Sequence, residues 1–146
     1  MDSFDIAVIG GGPGGYTAAE RAARLGKRVV LFEERELGGT CLNRGCIPTK
    51  ALLRSAEAYH KARNSSDLGV SVRGVELDTR VMHERKNQVV ETLRDGVASL
   101  MLRNGVTVVP ERAIIVAPHL IKTSEQEFEA ENIIVATGSV PAIPPI

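Results

Sequence analysis

The rhythm of apolar residues changes several times along this chain, and each change predicts an element. Asp5 to Ile9 (DIAVI) is a short, almost continuous apolar run ending in glycines, the pattern of a buried parallel strand. An alanine-rich stretch with helical spacing follows from Gly14 to Leu25, and Gly26 stands where a helix takes its terminal glycine. Arg28 to Phe32 (RVVLF) predicts a second buried strand, stopped by Glu33. Together these pieces have the length of one βαβ crossover, roughly 30 residues.

Past Glu33 the segment around the cysteines has no clear period and is expected to be a loop. Helical spacing resumes from about Ile47 to Ala62, and residues 63–77 are mixed, with at most a short strand at Val70 to Val72. Asp78 to Asn104 predicts a long helix whose apolar stripe runs through Val81, Val89, Leu93, Val97 and Leu100, with Asn104-Gly105 as its cap. Val106 to Val109, Ala113 to Val116, Leu120 to Thr123 and Phe128 to Ala130 predict the strands of a β-meander. Ile133 to Ala136 (IIVA) is fully apolar again and predicts a strand that rejoins the parallel sheet. The fold class is therefore α/β, Rossmann-like, with a central parallel sheet, helices and a β-meander.

Composition narrows this only a little. The chain has 146 residues, enough for one ordinary domain, with 43% apolar and 25% charged residues and a formal net charge of zero. That balance offers no electrostatic footprint for nucleic acid or for an anionic membrane surface. No apolar run approaches the ~20 residues needed to span a bilayer. The first residues, MDSFDIAVIGGG, are acidic where a targeting segment would be basic, which points to a cytoplasmic protein. Three prolines among the last six residues read as a linker toward a further domain.

The glycines after the first strand carry the first candidate chemistry. Gly10, Gly12 and Gly15 satisfy G-x-G-x-x-G between a predicted strand and a predicted helix. Gly10 suits the tight turn, Gly12 a close approach to a pyrophosphate, and Gly15 close packing of helix on strand. The helix start adds donors and partial positive charge, and Pro13 fits there because it lacks only a donor that would have no partner. Glu33 lies roughly 20 residues further on, where a carboxylate accepts from ribose hydroxyls and disfavours a 2′-phosphate. The motif does not separate FAD from NAD.

The chain's two cysteines, Cys41 and Cys46, fall within GGTCLNRGCIPTK. A zinc site is short of ligands: C-x₄-C falls within the usual cysteine spacing but supplies only two of the four, and His60, His83 and His119 are scattered surface or helix-end residues. A disulfide requires the chain to fold back, since residues i and i+5 of a straight helix have Cα atoms roughly 8–9 Å apart. Asn43 and Gly45 are residue types that tolerate such a fold. With Pro48 near the start of the next helix, Cys46 sits at a helix N-terminus, a position that favours a thiolate. So short a loop stabilises little as a staple, and a dithiol that opens and closes accounts for the spacing better. Lys50 lies one turn beyond Cys46 on the same helix face.

These residues resemble the redox-disulfide motif of the pyridine nucleotide–disulfide oxidoreductases. Within that family they are most similar to the dihydrolipoamide dehydrogenase branch, where C-L-N-x-G-C-I-P-[ST]-K is usual. Glutathione and mercuric reductases tend to have valine where Leu42 and Ile47 stand, and Arg44 departs from the valine commoner at its position. The N-terminal glycine fingerprint and the Ala136-Thr137-Gly138 segment match the same family.

The resemblance implies an FAD-binding domain in which Gly10, Gly12, Pro13, Gly14, Gly15, Glu33 and Glu34 meet the adenosine and phosphates. Gly39 and Thr40 would lie near the phosphates, Ala113 at the adenine, and Ala136, Thr137 and Gly138 along the cofactor. Cys41 is implied to be the interchange thiol that meets substrate, Cys46 the sulfur against the flavin, and Lys50 a neighbour of its N5. The pair would relay two electrons from a dithiol, free or on a lipoyl domain, to FAD and then NAD. Family members are about three times longer and form homodimers. The chain is accordingly expected to be, over residues 1–146, the N-terminal part of the FAD domain, without the NAD-binding and interface domains. A glutathione- or mercuric-reductase-like portion is the alternative within the family, and a non-catalytic nucleotide-binding or thiol-sensing module is the alternative outside it.

Overall fold

The computed structural model describes residues 2–145. Its centre is β1 (Asp2–Ile9), followed by α1 (Pro13–Arg24) and β2 (Val29–Phe32). β1 and β2 pair in parallel with Ile6 opposite Val29 and Ile9 opposite Phe32, so the predicted βαβ unit is present. α1 is capped at Leu25, and Gly26 follows with φ +80°. Two helices separated only by Gly45 come next, α2 (Gly39–Arg44) and α3 (Cys46–Arg63), and then α4 (Thr79–Arg103). β3 (Thr107–Val109), β4 (Ile114–Ala117), β5 (Leu120–Lys122) and β6 (Glu127–Val135) complete a six-stranded sheet in the order β3-β2-β1-β6-β5-β4.

Strands β3, β2, β1 and β6 are parallel, while β4 and β5 join β6 as an antiparallel meander. Helices cover one face: Ala19 and Ala22 of α1 and Met101 of α4 pack on Val8, Val29 and Leu31. Alanines at the contact let α1 lie close to the strands. The opposite face packs through Phe4, Ala7, Val30, Phe32, Ile121 and Phe128. The Phe32 and Phe128 rings meet edge to face at 5.0 Å, a geometry that aromatic quadrupoles favour. Among the described residues no helix is long and apolar enough to cross a membrane.

Five expectations are corrected. Val106 to Val109 forms no part of the meander; as β3 it pairs in parallel with β2, because its alternating apolar residues can bury there against α4. The runs 128–130 and 133–136 are one continuous strand, β6, which reaches β5 with its first half and β1 along its length. Residues 70–72 form no strand; the connection carries a 3₁₀ turn at Ser66–Leu68, and Val70 and Val72 are exposed. Finally, the cysteine loop is helical. The expected stripe on α4 is also only partly buried: Val97 and Met101 are inside, whereas Val81 and Leu93 are exposed.

Candidate functional site

β1 ends between β2 and β6, so the C-terminal ends of these three strands open a crevice where the strand order reverses. Open α/β sheets bind ligands at such a point. Gly10 makes the turn out of β1 with φ +107°, and its N–H donates to the Phe32 carbonyl at 2.8 Å. A methyl group on Gly15 would overlap the Gly10 carbonyl oxygen, so only glycine lets α1 begin this close to the strand. The expected task of Gly15 is thus visible in the packing.

Gly12 differs: a Cβ there would meet nothing nearer than Gly39 Cα, at 3.8 Å. A Cβ on Gly39 would lie 2.7 Å from Gly12 Cα. The starts of α1 and α2 therefore meet backbone to backbone across two glycines. Both helices have a glycine N-cap, Gly12 and Gly38, and neither cap receives a side-chain hydrogen bond. The first-turn N–H groups of α1 thus have no capping side chain, and Gly12, Pro13 and Gly14 of this turn line the crevice, with the positive end of the helix dipole behind them. A side chain at Gly12 would fill this cradle, and a pyrophosphate fits its chemistry.

The crevice has a volume of about 560 Å³. Its walls bring together Gly10, Gly12, Pro13 and Gly14 from the first turn, Glu33 and Glu34 after β2, Gly39, Thr40 and Cys41 on α2, and Ala136, Thr137 and Gly138 after β6. An adjoining hollow of about 340 Å³ is lined by Phe32, Glu33, Glu111, Ala113 and Thr137. Glu33 is partly engaged within the protein: Oε2 accepts from Gly11 N at 2.8 Å and Oε1 from Arg35 N at 2.9 Å. These bonds fix the carboxylate at the rim and still leave lone pairs for a hydroxyl donor.

The cysteines are bonded to each other, with Cα atoms 4.7 Å apart. The chain does fold back, but Asn43 remains helical, and the break is at Gly45 (φ −129°, ψ −101°). A Cβ at Gly45 would stand 3.2 Å from the Thr40 carbonyl oxygen, tighter than side chains normally allow. Asn43 donates from Nδ2 to the carbonyls of Leu37 at 2.9 Å and Gly39 at 3.0 Å, tying α2 to the chain before it. Cys41 is half-buried on the crevice wall, whereas Cys46 and Lys50 are exposed on α3 and do not line the crevice. By whole-residue exposure, Cys46 is the more open of the two. Arg35, Glu36 and Arg44 also line the crevice; Arg44 was noted only as a departure from the family motif, and Arg35 and Glu36 were not singled out beforehand. Their place directly after Glu33 and inside the cysteine loop was the available signal.

A glycine-lined crevice at a strand-order reversal, with one half of a disulfide on its wall, sets the class: an α/β protein with a paired cysteine at its ligand crevice. The chain belongs to the pyridine nucleotide-disulphide oxidoreductase family, whose model matches residues 4–146. Its relatives are more specific. It is 45% identical over 143 residues to the dihydrolipoyl dehydrogenase of Chlamydia muridarum, covering 96% of this chain and 31% of that protein. It is 42% identical over 144 residues to that of Acholeplasma laidlawii, covering 98% of this chain and 43% of that protein. A solved structure, the Cu(II) complex of the HOCl-induced flavoprotein disulfide reductase RclA from Escherichia coli, superposes with a TM-score of 0.80 at 30% identity. That match covers 97% of this chain and 29% of RclA. The chain thus spans less than half the length of these proteins.

Proposed function

We propose that this chain supplies the FAD site and the redox disulfide of a dihydrolipoyl dehydrogenase-type reaction. The observation that carries the reading is the Cys41–Cys46 disulfide beside the glycine cradle, with Cys41 on the crevice wall. In this reading the first turn of α1 and Thr40 hold the pyrophosphate, Glu33 and Glu34 the ribose side, and Ala113 the adenine. Ala136, Thr137 and Gly138 line the path toward the isoalloxazine ring. Bound FAD supplies a two-electron acceptor. Cys41 receives the attack of a substrate dithiol, which displaces Cys46 as a thiolate; the second substrate thiol then closes its own disulfide and leaves Cys41 reduced. In this reading Cys46 and Lys50, exposed on α3, are the residues that would meet the ring system. NAD, the lipoyl-bearing partner and a homodimer belong to the reaction of proteins of the relatives' full length, and residues 1–146 are read as the N-terminal part of the FAD domain.

Affinities for FAD and NAD, measured by calorimetry on the purified chain, test the site. FAD is expected to bind more tightly, and tighter binding of NAD would reject the assignment. Mixing the FAD-loaded chain with dihydrolipoamide without oxygen should then bleach the flavin absorbance once, in proportion to the protein present.

A further inference from the structure

Arg44 lies between the two cysteines, at the last position of α2. Its Nη2 stands 2.8 Å from Oε2 of Glu36, a residue of the segment between β2 and α2. Its neighbour Asn43 bonds to the carbonyls of Leu37 and Gly39. Two consecutive residues enclosed by the disulfide therefore reach back to the same stretch of chain. We infer that the Arg44–Glu36 ion pair is a clasp that holds the cysteine loop closed and so makes the Cys41–Cys46 disulfide harder to reduce. This deepens the proposed function, resting on its reading of the pair as redox-active.

Reduction by a dithiol breaks the Cys41–Cys46 bond; two electrons and two protons pass to the protein, and the reductant becomes a disulfide. Afterwards only backbone and side-chain contacts keep the thiols near each other. α2 has six residues, far fewer than the ~12–15 at which an isolated helix begins to hold itself in water. Gly45 adds a flexible joint between the thiols. How readily the disulfide reforms depends on how often the thiols meet, which is an effective concentration. A clasp from Arg44 to Glu36 raises it; without the clasp the reduced loop spreads and the disulfide opens more easily.

The charge of Arg44 acting alone would have the opposite effect. A nearby guanidinium favours thiolates, so its removal would make reduction harder. Lys86 and Arg94 of α4 line a polar cavity of about 300 Å³ with Arg44, Glu36, Asn43 and Glu91. Those two cations remain when Arg44 is replaced and limit the change in local charge. The sign of the shift therefore separates a positioning residue from an electrostatic one.

The test is equilibration of the chain with dithiothreitol buffers, reading the oxidised fraction by alkylation and mass spectrometry. Arg44→Gln and Glu36→Gln should each make the disulfide about 1.5- to five-fold easier to reduce, the range an exposed pair supports. At 29.6 mV per tenfold change, that is a shift of about 5–21 mV. Arg44→Lys should stay near the parent, and the exchange Glu36→Arg with Arg44→Glu should recover most of the loss. Thermal melts followed by circular dichroism establish that each variant is folded, and either single variant suffices if the other is not. No shift in the folded variants, a shift toward harder reduction, or an exchange variant no better than the single ones would overturn the clasp. A parent disulfide that no dithiol opens would overturn the redox reading, and the clasp with it; an unchanged Arg44→Gln beside a parent that opens normally rejects the clasp alone.

Discussion

Gly12 and Gly15 belong to one motif yet tolerate a side chain very differently. A methyl group on Gly15 collides with the Gly10 carbonyl, which the strand end holds in place; one on Gly12 enters open space, and φ −73° suits alanine. Gly15→Ala is therefore expected to cost about 2–4 kcal/mol of stability, and Gly12→Ala no more than about 0.5 kcal/mol. FAD affinity should nevertheless fall about tenfold or more in Gly12→Ala, because its methyl group occupies the phosphate approach. Urea melts read the first contrast and calorimetry the second; a Gly12→Ala chain that binds FAD like the parent would take Gly12 out of the phosphate site. The cysteines differ in the same residue-by-residue way. Cys46 is exposed and Cys41 half-buried, so in the reduced chain without FAD, Cys46 should alkylate first. Loading FAD should reverse the order by covering Cys46. Mass spectrometry of partly alkylated protein checks both halves, and an order unchanged by FAD would argue against a flavin over Cys46.

At the scale of elements, the β5–β6 hairpin is held to the chain after β3 by Glu111, whose carboxylate accepts from the Ser124 N–H at 3.1 Å and from its hydroxyl. Chiefly through that hydroxyl, the Glu111 carboxyl is held below the usual carboxylate range. A folded pKa below the unfolded one stabilises the protein above about pH 4.3, and the contribution disappears as pH falls through the folded value. Glu111→Gln should therefore lower Tm slightly at neutral pH and match the parent in strong acid. Melts across about pH 2–7 test this, and parallel curves would exclude the contribution. What could be foreseen of the elements follows a physical divide. β1, α1 and β2 were legible because their apolar rhythm and Gly26 are local signals. The partner of β3 was not, since TVV buries equally well beside a parallel or an antiparallel neighbour. β6 looked like two strands because Glu131 and Asn132 interrupt its apolar residues, yet pairing with β1 carries the strand through them. α2 was missed because glycine caps and a short GTCLNR run give weak helical propensity; contacts around it, including the Asn43 bonds, make it a helix. The glycine cradle and the cysteine pair were readable because chemistry restricts the residue types there, whereas Arg44 stood out only as a departure from the family motif and its pairing with Glu36 became visible through their distance.

For the whole molecule, the chain covers 31% of its Chlamydia relative, and a complete catalytic cycle is expected to need more than it contains. The purified chain should pass electrons from dihydrolipoamide to bound FAD once, without steady reduction of NAD. A nicotinamide held in place is worth several kcal/mol of barrier, and a positioned general base typically 10²–10⁴-fold. Absorbance at the NADH band over many equivalents of substrate decides the matter; sustained turnover free of full-length enzyme would overturn the division of labour. The pairing of β1 with β6 bears on the birth of the protein as well as on its finished shape. Asn132 reaches back 127 residues to the Asp5 carbonyl, so one side of the sheet's central strand stays open until that many further residues have been made. At about 5–20 residues per second the wait is roughly 6–25 s. For that interval the DIAVI strand presents unpaired amides to anything extended and apolar nearby. A cell making this polypeptide therefore has reason to keep a chaperone at the ribosome's exit until β6 emerges.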